Sequence, residues 1–172
     1  MNFIYKKKVI KYINLKMENL SNLAIILPSV SGKTTLSQKL SFYVQDIDSL
    51  PNDEERIKLN NVIKNALLNN TQENWNIVND IWRLLVISKA IKNRILLCHS
   101  PDQLPLYYNY YIINTPEYPY IDSVIDPVRK KTAILNRKHL KDDFSTSHLY
   151  NFIEEPELVY KFISDIIKKL KL

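Results

Sequence analysis

Short runs of apolar residues alternate along this chain with longer stretches in which apolar residues recur every three or four positions. The short runs are typical of strands buried on both faces of a sheet, and they cover residues 23–27, 42–44, 95–98 and 110–113. The longer stretches predict helices over residues 33–41, 52–69, 72–92, 124–140, 145–153 and 156–170. No clear fifth strand is predicted near the C-terminus.

The alternation of strands with helices predicts an α/β fold. We expect a three-layer sandwich in which helices flank a mostly parallel sheet of about four to five strands. No internal repeat or Ser/Gly-rich linker divides the sequence, so we interpret residues 1–172 as one domain. Within it, we expect residues 52–93 to form a helical insertion between two strands. Residues 1–21 form an N-terminal extension, in which residues 3–17 fit either a basic helix or an edge strand.

Composition narrows the class of protein. Hydrophobic residues make up 45% of the chain and charged residues 24%, which argues against wholesale disorder. No apolar run approaches the roughly 18 residues that a membrane span needs. The first apolar residues precede the lysines at 6–8, the reverse of the order in a secretory signal. The single cysteine, Cys98, excludes an intramolecular disulfide and fits a reducing compartment. We therefore expect a soluble cytoplasmic protein.

The chain is basic, with a formal net charge of +6. This charge admits a nucleotide, a nucleic acid or an anionic membrane surface as a partner, and it selects none of them. Lysines crowd residues 1–20, and residues 129–141 hold only basic charges and no acid. Each run fits either a solvated helix face or a contact with an anion.

The glycine content singles out one segment. The chain has one glycine, where an average content of about 7% would give roughly twelve. This residue lies in Ser31-Gly32-Lys33-Thr34-Thr35, between the first predicted strand and the first predicted helix. The segment is the second half of a phosphate-binding loop.

Each residue type in such a loop has a physical role. Backbone N–H groups at the helix start hold the β-phosphate, and glycine lets the backbone approach it. Lys33 would reach the β- and γ-phosphates, and the Thr34 hydroxyl would coordinate Mg²⁺. We expect Lys33 to be exposed and unpaired until phosphate binds. The full pattern has a glycine five residues before Gly32, where this chain has Leu27. The predicted nucleotide contacts in the loop are Ser29, Val30, Ser31, Gly32, Lys33, Thr34 and Thr35.

Two carboxylates lie at the end of the second predicted strand. Asp46 and Asp48 are two residues apart, so their side chains lean the same way from a strand end. One can hold metal-bound water while the other takes a hydroxyl proton. The pair also fits a helix cap or a turn. The strand over residues 95–98 is followed by His99 and Asp102, which could line the same site, and it lacks an aspartate at its own end.

With its phosphate loop and its Asp-x-Asp strand end, the chain resembles the P-loop kinases of small molecules and nucleotides. This group includes the shikimate, gluconate and nucleoside monophosphate kinases. The strand ending in Asp46 and Asp48 looks like that of shikimate kinases. The resemblance implies that Asp46 serves the Mg²⁺ together with Thr34, and that Asp48 contacts the phosphoryl acceptor.

The segment Arg137-Lys138-His139-Leu140 is followed by the Ser-containing stretch over residues 144–156. Together they are similar to the lid and the next helix of gluconate kinases, where an Arg-x-x-His segment precedes a Ser-containing helix. This similarity implies a lid over residues 123–148, whose arginines close over the transferring phosphate. Arg129 and Arg137 are eight residues apart and fall near one face of a helix. We predict that Arg129 contacts the nucleotide and that Arg137 acts in catalysis. A basic exposed helix is the alternative. The resemblance also implies that the helical insertion over residues 52–93 lies on the acceptor side, and Arg83 within it is the candidate for bidentate recognition of the acceptor.

Together these features predict an enzyme that uses ATP and Mg²⁺. It would move the γ-phosphoryl group to a small molecule, a nucleotide or a polynucleotide end. The predicted catalytic residues are Lys33, Asp46, Asp48 and Arg137, and the predicted metal ligands are Thr34 and Asp46. The alternative is a degenerate P-loop protein that binds nucleotide or nucleic acid without turnover. Leu27 and the missing strand-end aspartate motivate that alternative.

Overall fold

The computed structural model describes residues 22–118 and 120–170, so the N-terminal extension lies outside the described residues. The described strands are β1 (Leu23–Ile26), β2 (Val44–Asp46), β3 (Ile95–Cys98), β4 (Asn109–Asn114) and β5 (Tyr150–Phe152). The described helices are α1 (Lys33–Lys39), α2 (Asp53–Asn69), α3 (Gln72–Lys89), α4 (Pro127–Phe144) and α5 (Pro156–Lys169). Short 3₁₀ turns cover Ile47–Ser49 and Pro101–Gln103. No helix in these two ranges is long and apolar enough to cross a membrane.

The five strands form one parallel sheet in the order β2-β3-β1-β4-β5. At the centre, Ala24 of β1 lies opposite Leu96 of β3 and Tyr110 of β4. Every residue of β1 and β3 is buried, which is why both strands form continuous apolar runs in the sequence. The predicted fold class, an α/β sandwich with a parallel sheet flanked by helices, is confirmed.

Helices cover both faces of the sheet because side chains along each strand alternate in direction. Ala24 and Ile26 pack in a core with α2, α3 and α4, and Leu23 and Ile25 pack with α1 and α5. From β1 the chain runs towards the β2 edge, whereas from β3 it crosses to β4 on the other side. Loops that leave neighbouring strands in opposite directions open a crevice at the carboxyl edge, where α/β proteins bind ligands.

The fifth strand corrects the sequence interpretation. The pattern predicts a helix over residues 145–153, but β5 lies within them and pairs with β4 through Ile112 opposite Tyr150. The Ile153 N–H also donates to the Asn114 carbonyl at 3.0 Å. A three-residue strand is too short to show a period of its own, so only its pairing with β4 defines it. The second strand is also displaced: it covers Val44–Asp46 rather than residues 42–44.

Helix α4 lies inside the stretch predicted as a lid, and it is the crossover that connects β4 to β5. Its Ala133 and Leu140 are fully buried, and Leu140 belongs to the core shared with α2 and α3. Closure of residues 123–148 as a lid stays a prediction. Such a closure would have to leave these side chains in place or withdraw them from the core.

Replacing Leu140 by alanine tests whether α4 is an integral layer of the sandwich. We expect the free energy of unfolding to fall by about 2–5 kcal/mol, because a buried leucine leaves a cavity. On the same helix, Ile134 is 36% exposed, and Ile134→Ala should change stability by less than about 1 kcal/mol. Urea denaturation measures both. Equal, small effects would indicate that α4 detaches readily from the core.

Candidate functional site

The carboxyl ends of three neighbouring strands meet at one edge of the sheet. β1 leads into residues 27–32, which precede α1; β2 ends at Asp46; and β3 is followed by His99. Because β3 lies between β2 and β1, this edge brings together the phosphate-loop segment, the two aspartates and the histidine. The candidate site is built on this edge.

The loop reaches α1 through left-handed backbone. Gly32 is the N-cap residue of α1 with a φ of 87°, which glycine adopts without steric cost. A Cβ at Gly32 would have no neighbour within 4 Å, so the space beside it is open to a ligand. Val30 has a φ of 60°, a strained value for a β-branched residue. Such strain is typical of turns that hold ligands.

Leu27 stands where the full loop pattern has glycine, and it continues β1 into the core. Its side chain is fully buried, and its N–H donates to the Cys98 carbonyl at 2.8 Å. Among the described residues, positive φ occurs only at Val30, Gly32, Asn70 and Asn93. The backbone at Leu27 therefore does not require glycine. The departure from the pattern alters core packing rather than the path of the loop.

Lys33 is buried rather than exposed, which corrects our expectation. The residue is only 4% exposed, and Nζ donates to the Leu27 and Pro28 carbonyls at 3.3 and 3.1 Å. Burial lowers the pKa of Lys33, although the charges of Asp48 and Asp46 oppose that shift. A buried ammonium needs acceptors, and these carbonyls supply them. A phosphate bound here would have to replace them as the partner of Nζ.

Thr34 and Asp46 join the start of α1 to the end of β2. Thr34 Oγ1 donates to Asp46 Oδ2 at 3.0 Å, and Asp46 Oδ1 accepts the Asp48 N–H at 3.1 Å. Hydroxyl and carboxylate oxygens suit Mg²⁺, which keeps several waters and needs only one or two protein carboxylates. The pair therefore fits a nucleotide-bound Mg²⁺. Within the described ranges, no group of three or more His, Cys, Asp or Glu residues could hold a metal ion on its own.

Asp48 lies next to this pair and is surrounded by basic groups. Its Oδ1 is 2.9 Å from His99 Nε2, and its carbonyl accepts from Arg56 Nη2 at 2.6 Å. Burial raises the pKa of Asp48, but His99, Lys33 and Arg56 together outweigh burial and hold it well below the usual range. The side chain remains 43% exposed. An ionised carboxylate is therefore available to a ligand at neutral pH.

His99 links Asp48 to the loop. Its Nδ1 is 3.1 Å from Ser29 Oγ, which donates to Asn136 Oδ1 of α4 at 2.8 Å. The Ser29 N–H donates to the same amide oxygen at 3.3 Å. The His99 ring is buried, with its centroid 6.0 Å from that of Trp82. A continuous hydrogen-bond chain therefore runs from α4 through the loop to Asp48.

The two arginines of α4 lie in different surroundings. Arg137 is buried, and its guanidinium donates to the carbonyls of Ser29, Val30 and Thr115 at 2.8, 3.4 and 3.1 Å. Burial lowers the pKa of Arg137 to about 10. Arg129 is exposed. Eight residues turn a helix by about 80°, enough for one arginine to enter the core while the other stays outside. Arg137 thus braces the loop, and its catalytic role stays a prediction.

A groove of about 1070 Å³ opens above the candidate site at the carboxyl edge of the sheet. α2, α3 and α4 contribute its walls, and Ser29, Thr34, Asp48 and His99 lie at its base. The cations on its walls are Arg56, Lys64, Arg129 and Lys138. Arg83, the predicted acceptor ligand, is not among the lining residues. Its guanidinium donates instead to the Asp102 and Leu104 carbonyls at 2.7 and 3.4 Å.

A second charged cluster, which the sequence did not predict, lies in the groove wall. His139 of α4 has Asp102 Oδ2 2.9 Å from Nε2 and Asp143 Oδ2 2.6 Å from Nδ1. Ser100 Oγ is 3.2 Å from the same Nε2. The hydrogen bond with Asp102 raises the pKa of His139 and outweighs the opposing effect of burial. The only local sequence signal was the spacing of four between His139 and Asp143.

No family model matches this sequence, and comparison with curated proteins finds no match. The resemblance to P-loop kinases therefore rests on the chain's own residues, above all Gly32, Lys33, Thr34 and Asp46. The structure brings these residues to one edge of the sheet together with Asp48 and Ser29.

Replacing Val30 by glycine should stabilise the protein, because its φ of 60° is strained for any residue with a Cβ. We expect Val30→Gly to exceed Val30→Ala in free energy of unfolding by about 1 kcal/mol. The alanine variant is the control, since it shortens the side chain but keeps the Cβ. Urea denaturation gives the comparison. Equal stabilities would argue against strain at Val30.

Protonation of His139 should stabilise the fold, because both ring nitrogens then donate to carboxylates. Since its pKa is raised in the fold, this contribution is complete below the ordinary histidine pKa of about 6.5. It is lost as the pH rises through the raised value. The stability difference between wild type and His139→Gln should thus be larger at about pH 5.5 than at about pH 9. A difference that does not change with pH would contradict the cluster.

Proposed function

We propose that this chain is a P-loop phosphotransferase that binds ATP with Mg²⁺ at residues 29–35. The observation that carries the proposal is the 3.0 Å hydrogen bond between Thr34 Oγ1 and Asp46 Oδ2. These two oxygen donors come from separate elements of the chain and meet beside a left-handed glycine at a helix start. That combination is what a nucleotide-bound Mg²⁺ requires, and it favours a phosphate site over an incidental turn.

The surrounding groups suit transfer of the γ-phosphoryl group. Backbone N–H groups after Gly32 and the Lys33 ammonium would bind phosphate oxygens, with Thr34 and Asp46 as metal ligands. Mg²⁺ supplies positive charge that offsets the charge on those oxygens. An acceptor hydroxyl oxygen bonds to the γ-phosphorus as the bond to the β–γ bridging oxygen breaks and ADP leaves. The forming O–P bond makes the acceptor hydroxyl strongly acidic, so its proton then passes to the Asp48 carboxylate even though the pKa of that carboxyl is low.

The groove provides room for the acceptor. Lys64 of α2 and Arg129 and Lys138 of α4 line it, and no partner for their charged groups is found in the described part of the chain. These cations suit an acceptor that carries negative charge. A small anionic molecule, a nucleotide and a polynucleotide end all meet that condition.

A nucleotide-binding protein without turnover is the second candidate. It is favoured by the contacts of Lys33, whose Nζ is held by the Leu27 and Pro28 carbonyls. An ammonium that kept these two carbonyl partners could not bind the transferring phosphate or stabilise the negative charge on its oxygens. In this case the loop binds nucleotide and Asp48 takes no proton.

Replacing Lys33 by alanine separates the candidates. We expect Mg²⁺- and ATP-dependent turnover to fall at least about 100-fold, because a positioned charge on the transferring phosphate is lost. Lys39→Ala is the matched control, since Lys39 is exposed at the end of the same helix and should keep wild-type turnover. Initial rates with Mg·ATP provide the measurement.

Calorimetric titration with Mg·ATP completes this test. Nucleotide binding that requires Lys33, without any Lys33-dependent turnover in the wild type, would establish the non-catalytic candidate. Unchanged binding in a folded Lys33→Ala variant would overturn the assignment of the phosphate loop, and with it both candidates.

A further inference from the structure

His99 directly follows β3, the strand between β2 and β1, and the reaction outlined above gives it no part. It is only 8% exposed, and both of its ring nitrogens are engaged. Nδ1 is 3.1 Å from Ser29 Oγ in the loop, and Nε2 is 2.9 Å from Asp48 Oδ1. Buried groups that are satisfied on both sides fix the geometry of their partners.

We infer that His99 is a positioning residue that holds the Asp48 carboxylate in register with the phosphate loop. The inference rests on the proposed function, in which Asp48 receives the acceptor proton. Among the described residues, the partner of the Asp48 carboxylate is His99, which lies on a different strand end from Asp48. With Oδ1 held by Nε2, Oδ2 is the oxygen left to meet an acceptor.

Asp48 needs such support because its own element is small. It follows β2, a three-residue strand at the edge of the sheet, and lies in a single 3₁₀ turn. Its backbone is tied by its N–H to Asp46 and by its carbonyl to Arg56. Those bonds fix the main chain of Asp48. The side-chain torsions are restrained by the hydrogen bond with His99.

His99 itself is rigidly held. Its backbone N–H donates to Gln103 Oε1 at 3.0 Å, and its ring lies beside Trp82. On the loop side, Ser29 is fixed by Asn136 through Oγ and by Arg137 through its carbonyl. The ring thus connects the fixed loop to the Asp48 side chain, so a displacement of the ring would move that carboxylate. Small misplacements of a reacting group can cost about 100-fold in rate.

Two substitutions of His99 discriminate positioning from mere packing. In His99→Gln, the amide nitrogen can take the place of Nε2 and keep the bond to Asp48. In His99→Asn, the shorter side chain places its nitrogen near the position of Nδ1 and loses that bond. The probe is Mg·ATP with water as the phosphoryl acceptor. We expect kcat to fall about 10- to 100-fold in the asparagine variant, with KM for ATP unchanged, and the glutamine variant to retain most of the wild-type kcat.

A double-mutant cycle tests the route of the effect. If His99 acts through Asp48, His99→Asn should lower kcat no further in an Asp48→Asn background. Should His99→Asn fail to fold in thermal melting, Ser29→Ala and Asp48→Asn carry the test. His99 is the residue that connects these two side chains, so positioning predicts that their effects on kcat are not additive. Additive effects would overturn it.

The outcomes separate this inference from the proposed function. Lys33-dependent turnover with equal kcat in the glutamine and asparagine variants of His99 would overturn the positioning role alone. A wild-type protein without Lys33-dependent turnover would overturn the proposed function, and the positioning role with it.

Discussion

The parallel pairing of β1 with β3 is the interaction on which the rest of this structure depends. Ala24 lies opposite Leu96, and the Leu27 N–H extends the pairing one residue beyond β1 to the Cys98 carbonyl. This register brings the start of the loop level with His99. A slip of one residue would reverse the faces of the strand and exchange the two cores. The same pairing therefore sets the packing of the five described helices and brings the loop next to His99.

Two buried cations bind the loop backbone on its carbonyl side. Lys33 donates hydrogen bonds to the carbonyls of Leu27 and Pro28, and Arg137 donates to those of Ser29 and Val30. Four consecutive carbonyl oxygens are thus satisfied by positive charge, and each buried charge is satisfied by oxygens. Nucleotide binding at this loop would be an exchange of partners for Lys33 rather than the filling of an empty site.

Local signals account for what the sequence could predict. β1, β3 and Gly32 carry their signals within a few residues, and the parallel sheet follows from strands alternating with helices. β5 carries no such signal, since three residues gain strand character only from β4. The helical periodicity also places Arg137 on one face of α4, but it does not predict that the guanidinium on this face is buried. Two of the carbonyls that bind it lie more than one hundred residues away in sequence. The cluster around His139 escaped prediction for the same reason.

The scarcity of glycine has a consequence for the unfolded chain. Besides Gly32 and the strained Val30, the described residues with left-handed backbone are Asn70 and Asn93, and asparagine tolerates that backbone better than most residues. A chain with almost no glycine samples fewer backbone conformations when unfolded, so folding sacrifices less entropy. Each compatible replacement of glycine contributes about 0.4–1 kcal/mol in this way. Part of the stability of this protein therefore arises in a state that has no fold at all, and no contact in the native structure displays it.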